Sequence, residues 1–276
     1  MSDNYRKFLR TSQLPHVWCP GCGDGMIVKA LLEAIGELNL DQNKIAVVSG
    51  IGCSGRTPFI LDFNTMHTTH GRALAFATGI KLANPELRVF AIMGDGDASA
   101  IGGNHFIHAC RRNLDITALV FNNGIYGLTG GQLAPTTPVG KRSTTSTMGS
   151  IEQPFDLVRL ALGAGAGFVA RTTSFDHKQL TSYIKRAILH KGFSFVDILT
   201  SCPTYFGRMN DVAEPYDMVH YLRDTSSPLH DCTCGESEQP KAEVMPTGIF
   251  REEERADYEA LYKQKIASAS GKRSAS

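Results

Sequence analysis

Gly94-Asp95-Gly96 is followed, after an interval long enough for a helix, by Asn122-Asn123. An apolar run that predicts a strand precedes each of these segments, Arg88–Met93 before the first and Ile116–Phe121 before the second. A helix is predicted between them, over Ala98–Arg111. Strand, helix and strand in this order indicate a βαβ unit, and the two polar segments then follow parallel strands of one sheet.

The composition of these two turns is suited to an anion and a metal ion. Gly94 and Gly96 lack side chains, so backbone N–H groups can approach a diphosphate closely. The carboxylate of Asp95 and the amide oxygen of Asn123 are hard oxygen ligands of the kind that Mg²⁺ prefers. An ordinary tight turn at each segment is the alternative. Asp97 is predicted either to cap the helix that follows or to contact the site.

Four cysteines lie in turns rich in glycine and proline, where backbone amides can point at sulfur. They are Cys19 and Cys22 in Trp18-Cys19-Pro20-Gly21-Cys22-Gly23, Cys53 in Gly50-Ile51-Gly52-Cys53-Ser54-Gly55, and Cys202 in Ser201-Cys202-Pro203. Four thiolates of this kind suit a [4Fe–4S] cluster or a Cys₄ zinc site. Cys110 has no flanking glycines and is predicted to be a core residue. Cys232 and Cys234 have the wrong spacing for this site and are predicted to lie in an exposed loop.

The bulk properties restrict the class of protein. The 276 residues are enough for one large α/β domain with extensions. With 28 Lys and Arg against 27 Asp and Glu, the net charge of +1 does not point to nucleic acid or an anionic membrane. Seven cysteines in glycine-rich surroundings favour a reducing compartment over a disulfide framework. No apolar run approaches the roughly 20 residues of a membrane span, and no secretory signal is apparent. A cytoplasmic protein is expected.

Strand-like apolar runs alternate with helical patterns and predict a doubly wound, mainly parallel α/β sheet with its site at the carboxyl ends of the strands. The other predicted strands are Ile45–Ser49, Phe168–Arg171 and Ser194–Leu199, and the other predicted helices are Met26–Leu38, Ala73–Ala83, Phe155–Leu162 and His177–His190. A long loop over Gly124–Ser150 is expected to be functional. Residues 1–210 are predicted to form the main domain. Residues 211–276, with a helix-like run at Glu252–Ile266, are predicted to be an irregular extension that packs on this domain or on a partner.

Taken together, these motifs resemble the β subunit of 2-oxoacid:ferredoxin oxidoreductases, and most closely the 2-oxoglutarate type. The resemblance runs from about Pro15 to Arg208 and resumes at Pro246–Phe250. The segments that carry it are Trp18–Gly25, Gly50–Arg56, His67–Ala73, Gly94–Asp97 and Asn122–Gln132. It implies a thiamine diphosphate-binding fold with three cofactors: thiamine diphosphate, Mg²⁺ and a [4Fe–4S] cluster.

The resemblance also implies roles for individual residues. Mg²⁺ would be held by Asp95, Asn123 and the carbonyl of Ile125, and the cluster by Cys19, Cys22, Cys53 and Cys202. Contacts to thiamine diphosphate are expected from Cys53, Ser54, His70, Gly94, Asp95, Gly96, Asp97, Asn123, Ile125, Tyr126, Gly127, Leu128 and Thr129. Three residues are expected near the reacting groups. Arg56 would pair with a substrate carboxylate, His70 would donate to diphosphate or substrate, and Leu128 would border the cofactor or the acyl pocket.

The implied reaction is the coenzyme A-dependent oxidative decarboxylation of a 2-oxoacid, with one-electron transfers through the cluster to ferredoxin. For 2-oxoglutarate the products would be succinyl-CoA and CO₂, and the reverse reaction would fix CO₂. Thiamine activation requires a carboxylate facing the aminopyrimidine. Glu33 and Glu37 lie on the surface of a predicted helix and are not placed for this task. An α subunit is therefore expected to supply that glutamate, in an assembly expected to be (αβ)₂.

Three alternatives stay open at this point. The chain could be specific for pyruvate or a branched-chain 2-oxoacid. It could belong to a non-redox thiamine decarboxylase or synthase, in which the cysteines bind zinc or nothing. It could also be an electron-transfer module that carries a cluster but no longer binds thiamine diphosphate, although the retained Asp95, Asn123 and Tyr126–Thr129 segment argue against this.

Overall fold

The computed structural model describes residues 5–229 and 244–271, and Cys232 and Cys234 lie outside these ranges. The strands are β1 Ile45–Ser49, β2 Asn64–His67, β3 Arg88–Gly94, β4 Ile116–Asn122, β5 Ile125–Tyr126, β6 Gln132–Leu133, β7 Phe168–Thr173, β8 Ser194–Leu199, β9 Ser226–Pro228 and β10 Met245–Glu252. Within the described residues, β5 and β6 form a small hairpin and the other strands form one sheet in the order β2-β1-β3-β4-β8-β7-β10-β9.

Helices cover both faces of this sheet. They are α1 Asp24–Glu37, α2 Thr57–Ile60, α3 Ala73–Ala83, α4 Asp95–Ser99, α5 Gly103–Arg112, α6 Leu157–Gly163, α7 His177–Leu189, α8 Pro215–Asp224 and α9 Tyr258–Gly271. Side chains alternate along each strand, so that Val47 packs with the apolar residues of α1 and α7 on one face. Its neighbour Val48 packs with those of α3, α5 and α6 on the other. The fold is the predicted doubly wound α/β sheet.

The central strands are parallel, which brings the predicted motifs to one edge. Strand β1 pairs in parallel with β2 and β3, β3 with β4, β4 with β8, and β8 with β7. Their carboxyl ends therefore lie along the same edge of the sheet. The segments that leave these ends are the glycine-rich turn after β1, the Gly-Asp-Gly turn after β3, the Asn-Asn turn after β4 and the Cys202 segment after β8.

The predicted helix over Ala98–Arg111 is wrong, because two helices occupy this region. Helix α4 begins directly at Asp95 and ends before Ala100, and α5 begins at Gly103. The break follows from a close approach of backbone segments: a Cβ atom on Gly102 would lie 2.3 Å from the carbonyl oxygen of Asp97. The glycine pair therefore interrupts a pattern whose hydrophobic period alone predicts a continuous helix.

Five strands escaped prediction from the sequence, namely β2, β5, β6, β9 and β10. Strand β10 pairs antiparallel with β7 and in parallel with β9, so part of the C-terminal segment extends the main sheet. The helix-like run is observed later than expected, at α9, whose Glu259 accepts a hydrogen bond from the backbone N–H of Asp115 (3.2 Å). The division into domains at residue 210 stays a prediction. In the described part of the chain, no helix is both long and apolar enough to cross a membrane.

Candidate active site

A cavity of about 460 Å³ opens at the carboxyl ends of the strands. All the residues that the sequence resemblance assigned to thiamine diphosphate line it: Cys53, Ser54, His70, Gly94, Asp95, Gly96, Asp97, Asn123, Ile125, Tyr126, Gly127, Leu128 and Thr129. Sequence reasoning missed five further lining residues, Asp24, Ile51, Gly52, Phe121 and Gln132. The turns after β1, β3 and β4 thus converge on one space, while contact with a cofactor stays a prediction.

Asp95 is the first residue of α4 and is 2% exposed. The hydroxyl of Thr136, in the long loop after β6, donates a hydrogen bond to its Oδ2. Burial raises the pKa of Asp95 to about 7, although the hydrogen bond from Thr136 opposes this shift. None of the groups that act most on Asp95 is a cation. A divalent cation would therefore satisfy a buried carboxylate that the surrounding side chains leave without positive charge.

The Asn-Asn turn is ordered by contacts on both sides. Asn123 Oδ1 accepts a hydrogen bond from the backbone N–H of Ile125 (3.1 Å). The preceding Asn122 donates to Asp197 Oδ1 (3.0 Å), and Arg171 Nε donates to Asp197 Oδ2 (2.8 Å). Arg171 is 2% exposed and Asp197 is fully buried, so the ion pair joins β7 to β8, and the hydrogen bond from Asn122 joins the end of β4 to both.

Gly96 allows the aromatic ring of Tyr126 to close over the turn after β3. A Cβ atom at Gly96 would lie 2.4 Å from that ring, which excludes any other residue without movement of the tyrosine. The Tyr126 hydroxyl donates to the carbonyl of Gly96 (3.2 Å). Burial, and then the carboxylates of Asp95 and Asp97, raise the pKa of Tyr126 and keep it a neutral donor.

Asp97 does not cap a helix, so this part of the prediction is wrong. Helix α5 begins at Gly103 without a side-chain cap, and the Asp97 carboxylate faces the cavity wall instead. Its Oδ1 lies 2.7 Å from His70 Nδ1 and accepts a hydrogen bond from the backbone N–H of Gly71 (2.6 Å). Its Oδ2 is buried without a hydrogen-bond partner among the described residues. Asp97 therefore fixes the orientation of His70 at the cavity.

Hydrogen bonds join the three turns that carry the predicted cluster cysteines. Trp18 Nε1 donates to the carbonyl of Cys53 (2.8 Å). Ser201 Oγ donates to the carbonyl of Gly21 (2.9 Å), and the backbone N–H of Gly23 donates to the Ser201 carbonyl (3.5 Å). The segments that hold Cys19 and Cys22, Cys53, and Cys202 are thus brought together, although they are far apart in sequence.

The four cysteine side chains lie close enough to influence one another. The pKa of Cys53 is raised to about 12, mainly by burial. Asp24, Cys202 and Cys19 contribute to the same increase. Burial likewise raises the pKa values of Cys22 and Cys202. Thiols in this setting become thiolates only beside strong positive charge, as a bound metal supplies. In residues 5–229 and 244–271, no three His, Cys, Asp or Glu side chains converge as they would on a single metal ion.

Comparison with known proteins gives consistent matches. The family model of the thiamine pyrophosphate enzyme C-terminal TPP binding domain matches residues 46–198. The 2-oxoglutarate synthase subunit KorB of Methanocaldococcus jannaschii is 47% identical over 93% of this chain and 95% of its own. The 2-oxoacid:ferredoxin oxidoreductase subunit beta of Saccharolobus solfataricus is 43% identical over 92% of this chain and 86% of its own. The chain belongs to the family of 2-oxoacid:ferredoxin oxidoreductase β subunits.

A solved structure extends this similarity to three dimensions. It is the 2-oxoglutarate:ferredoxin oxidoreductase from Magnetococcus marinus with 2-oxoglutarate, coenzyme A and succinyl-CoA bound. It matches with a TM-score of 0.85 and 34% identity, covering 98% of this chain and 92% of that one. The family resemblance deduced from the sequence motifs is therefore confirmed, as is the fold class.

Some predicted site residues of this β subunit line the cavity, and Arg56 does not. Ser54 is 2% exposed, and its hydroxyl has no hydrogen-bond partner among the described residues, so it can donate to a bound anion. Leu128 lines the cavity with its side chain 45% exposed, and Thr129 donates to Gln132 Oε1 (2.6 Å). Arg56 lies outside the lining, with its guanidinium 5.7 Å from the ring centre of Phe59. Its role as a substrate-carboxylate partner gains no support from the cavity and stays a prediction.

Two predictions about residues outside the cavity are confirmed. Cys110 is fully buried in the core beside α5, as expected of an apolar cysteine. Glu33 and Glu37 lie on α1 away from the cavity. Glu33 Oε2 lies 2.5 Å from His177 Nε2, and Glu37 Oε2 accepts a hydrogen bond from Lys185 (2.6 Å). These two contacts occupy both glutamates in holding α1 against α7.

Proposed function

We propose that this chain is the thiamine diphosphate-binding β subunit of a 2-oxoglutarate:ferredoxin oxidoreductase. In the oxidative direction, 2-oxoglutarate and coenzyme A give succinyl-CoA, CO₂ and a proton, and the two electrons released reduce ferredoxin. The observation that supports this most directly is the convergence of the Asp95 turn, the Asn123 turn and the turn that carries Cys53 on one cavity. When bound, thiamine diphosphate supplies the carbanion chemistry that decarboxylation of a 2-oxoacid requires.

The residues present fit a magnesium diphosphate. Asp95, Asn123 and the carbonyl of Ile125 provide hard oxygen ligands, and the buried carboxylate lacks a cationic neighbour. The hydroxyl of Ser54 is buried without a partner at the same cavity. His70, oriented by Asp97, provides a further donor to an anionic group of the cofactor or substrate.

The cysteines fit a [4Fe–4S] cluster by the nature of their donors and surroundings. Cys19, Cys22, Cys53 and Cys202 are free thiols in turns that hydrogen bonds hold together. Gly127 lies between the cavity and two of them, since a Cβ atom there would be 3.3 Å from Cys53 Sγ and 3.6 Å from Cys202 Sγ. A cluster held by these thiolates would lie next to the cavity, a position suited to accepting electrons from the reacting group.

A partner α subunit is needed to complete the site. None of the described glutamates lines the cavity, and Glu33 and Glu37 contact His177 and Lys185 of α7 instead. The carboxylate that activates the aminopyrimidine would therefore come from the α subunit, in an (αβ)₂ assembly that passes electrons to ferredoxin. Relatives named as subunits of oxidoreductases support this arrangement.

The test is anaerobic co-purification of the chain with its α subunit, followed by electron paramagnetic resonance after dithionite reduction. A [4Fe–4S] signal, together with viologen reduction that depends on coenzyme A and prefers 2-oxoglutarate to pyruvate, is the expected result. A sample that holds zinc and thiamine diphosphate but gives no iron signal would instead indicate a non-redox thiamine enzyme. Equal rates with pyruvate would overturn the substrate assignment alone.

A further inference from the structure

A second cavity, of about 400 Å³, lies between helices α3 and α5. Its volume is in the range of pockets that bind small molecules. It shares no lining residue with the candidate active site, and none of its residues belongs to the proposed cofactor or cluster sites. Helix α3 supplies one wall and α5 the other, through Leu74, Ala75 and Thr78 from α3 and Asn104, His105, His108, Ala109 and Arg112 from α5.

The polar side chains of this pocket form a row along α5. Asn104, His108 and Arg112 are spaced by four residues, so they lie on one face of the helix, and His105 flanks them. In the described part of the chain, no hydrogen bond or ion pair engages the side chain of Asn104 or Arg112. His108 Nδ1 accepts a hydrogen bond from Arg111 Nε (3.4 Å), which leaves its Nε2 to donate. The row therefore offers donors that nothing in the described chain uses.

The charge of the pocket is positive and is not balanced by acidic side chains. None of the lining residues is acidic. Burial, then the charge of Arg72, and then that of His108, lower the pKa of His105, and no carboxylate is among the groups that act on it. Among the described residues, no Asp or Glu forms an ion pair with Arg72, Arg111 or Arg112. A positive cavity without counter-charge attracts anions.

We propose that this pocket binds a small polar ligand that carries a phosphate group. Arg112 and His108 Nε2, one helical turn apart, hold the phosphate, since a guanidinium pairs with phosphate oxygens through two parallel hydrogen bonds. Asn104 and Arg112 are separated by about 12 Å along α5 at the rise of a helix. A phosphate group fills one end of this length, and the organic part extends towards Asn104, His105 and Thr78. Because the two cavities have separate linings, this site does not require the proposed function.

The experiment is a nuclear magnetic resonance titration of the full chain with ¹³C-labelled histidine, at one fixed pH and ionic strength. Ribose 5-phosphate, inorganic phosphate and ribose are the probes. H105Q and H108Q assign the signals of the two pocket histidines, and His70 reports on the active-site cavity. The His105 and His108 signals are expected to shift saturably with ribose 5-phosphate. Affinity for inorganic phosphate should be at least about tenfold lower, and ribose should cause no shift.

Two substitutions separate pairing at the pocket from a general loss of positive charge. R112Q removes the guanidinium that faces the ligand and should weaken binding of ribose 5-phosphate at least about tenfold. Lys178 is an exposed residue of α7, which packs on the other face of the sheet. K178Q removes the same charge there and should leave the affinity within about twofold of wild type. If R112Q does not fold, R112K is used, which keeps the charge and loses the paired hydrogen bonds.

Other results overturn the proposal. Without a saturable shift at His105 and His108, the pocket is not a ligand site. A shift at His70 alone places the binding in the active-site cavity. Equal weakening by R112Q and K178Q, or equal shifts with sodium chloride, show a general effect of ions. Equal affinity for inorganic phosphate and ribose 5-phosphate excludes a role for the organic part. Calorimetry on the αβ complex is the last check: binding that the complex lacks and the isolated chain shows makes the pocket part of the subunit interface.

Discussion

Asp95 at the cavity is suited to bind a cation, but it lowers the stability of the metal-free protein. Burial raises its pKa to about 7 from the ordinary 3.8. In the metal-free protein, the folded state therefore favours the protonated carboxyl group. Stability from this group is fully present below about pH 4 and is lost as the pH rises through about 7. A bound cation reverses this pH dependence of stability, because it stabilises the ionised form of Asp95.

The substitution D95N separates these two effects. In the metal-free protein at a pH above 7, D95N is expected to be more stable than wild type by at most roughly 4 kcal/mol. This limit is the free energy that corresponds to the shift of the Asp95 pKa from 3.8 to about 7. It is also expected to lose about 100-fold in Mg²⁺-dependent affinity for thiamine diphosphate, since a charged ligand is removed. Urea unfolding and cofactor titration measure the two quantities.

Asp115 is the control for D95N, because the opposite sign is expected there. Burial alone would raise the pKa of Asp115, but the hydrogen bond from Lys81 (2.7 Å) and the charge of that lysine lower it. D115N should therefore destabilise the protein at neutral pH without changing cofactor affinity. A D95N protein that is less stable than wild type, with unchanged cofactor affinity, would contradict the ligand role of Asp95.

At the level of helices and strands, the sequence predicts most clearly the elements that are buried on both faces. Strands β1, β3 and β4 consist mostly of apolar residues, and β7 and β8 contain shorter apolar runs beside the buried Arg171 and Asp197, so hydrophobicity locates all five. Strand β10 contains Thr247, Arg251 and Glu252 and resembles a polar extension, since its place depends on pairing with β7. Asp24 was missed for a related reason: an acidic residue at the start of a helix is ordinary, and only the tertiary structure shows its neighbours.

The break between α4 and α5 provides a prediction about adjacent glycines. A Cβ atom at Gly102 would lie 2.3 Å from the Asp97 carbonyl oxygen and 3.2 Å from the Cα of Gly71. At Gly103, the first residue of α5, a Cβ atom meets no described atom within 4 Å. G102A is therefore expected to destabilise the protein by about 1–3 kcal/mol. G103A is expected to be neutral or stabilising by up to about 1 kcal/mol, because alanine favours the helix.

Thermal unfolding of the two variants measures this difference, and cofactor affinity shows whether it reaches the site. The backbone of Gly102 packs closely against Asp97 and Gly71. Asp97 in turn orients His70. Weaker binding of thiamine diphosphate is thus expected in G102A and not in G103A. Equal effects of the two substitutions on stability would show that the close approach of two backbone segments at Gly102 does not determine the break.

At the scale of the whole molecule, the proposed site in this chain would provide functional groups for one end of the cofactor only. Oxygen ligands and donors cluster around Asp95, Asn123 and Ser54, whereas no described glutamate lines the space. Binding by this chain alone should therefore depend on the diphosphate and Mg²⁺ and be indifferent to the pyrimidine. The relevant probe is an analogue of thiamine diphosphate in which a hydroxyl replaces the amino group of the aminopyrimidine.

The isolated chain should bind this analogue and thiamine diphosphate with affinities within about twofold of each other, as measured by calorimetry with Mg²⁺. It should bind thiamine, which lacks the diphosphate, at least about 100-fold more weakly, because the charge-assisted contacts are lost. The αβ complex should discriminate against the analogue, because the activating carboxylate then faces the altered group. If the isolated chain already discriminates to the same degree as the complex, the pyrimidine partner belongs to this chain, and the division of the active site between two subunits is wrong.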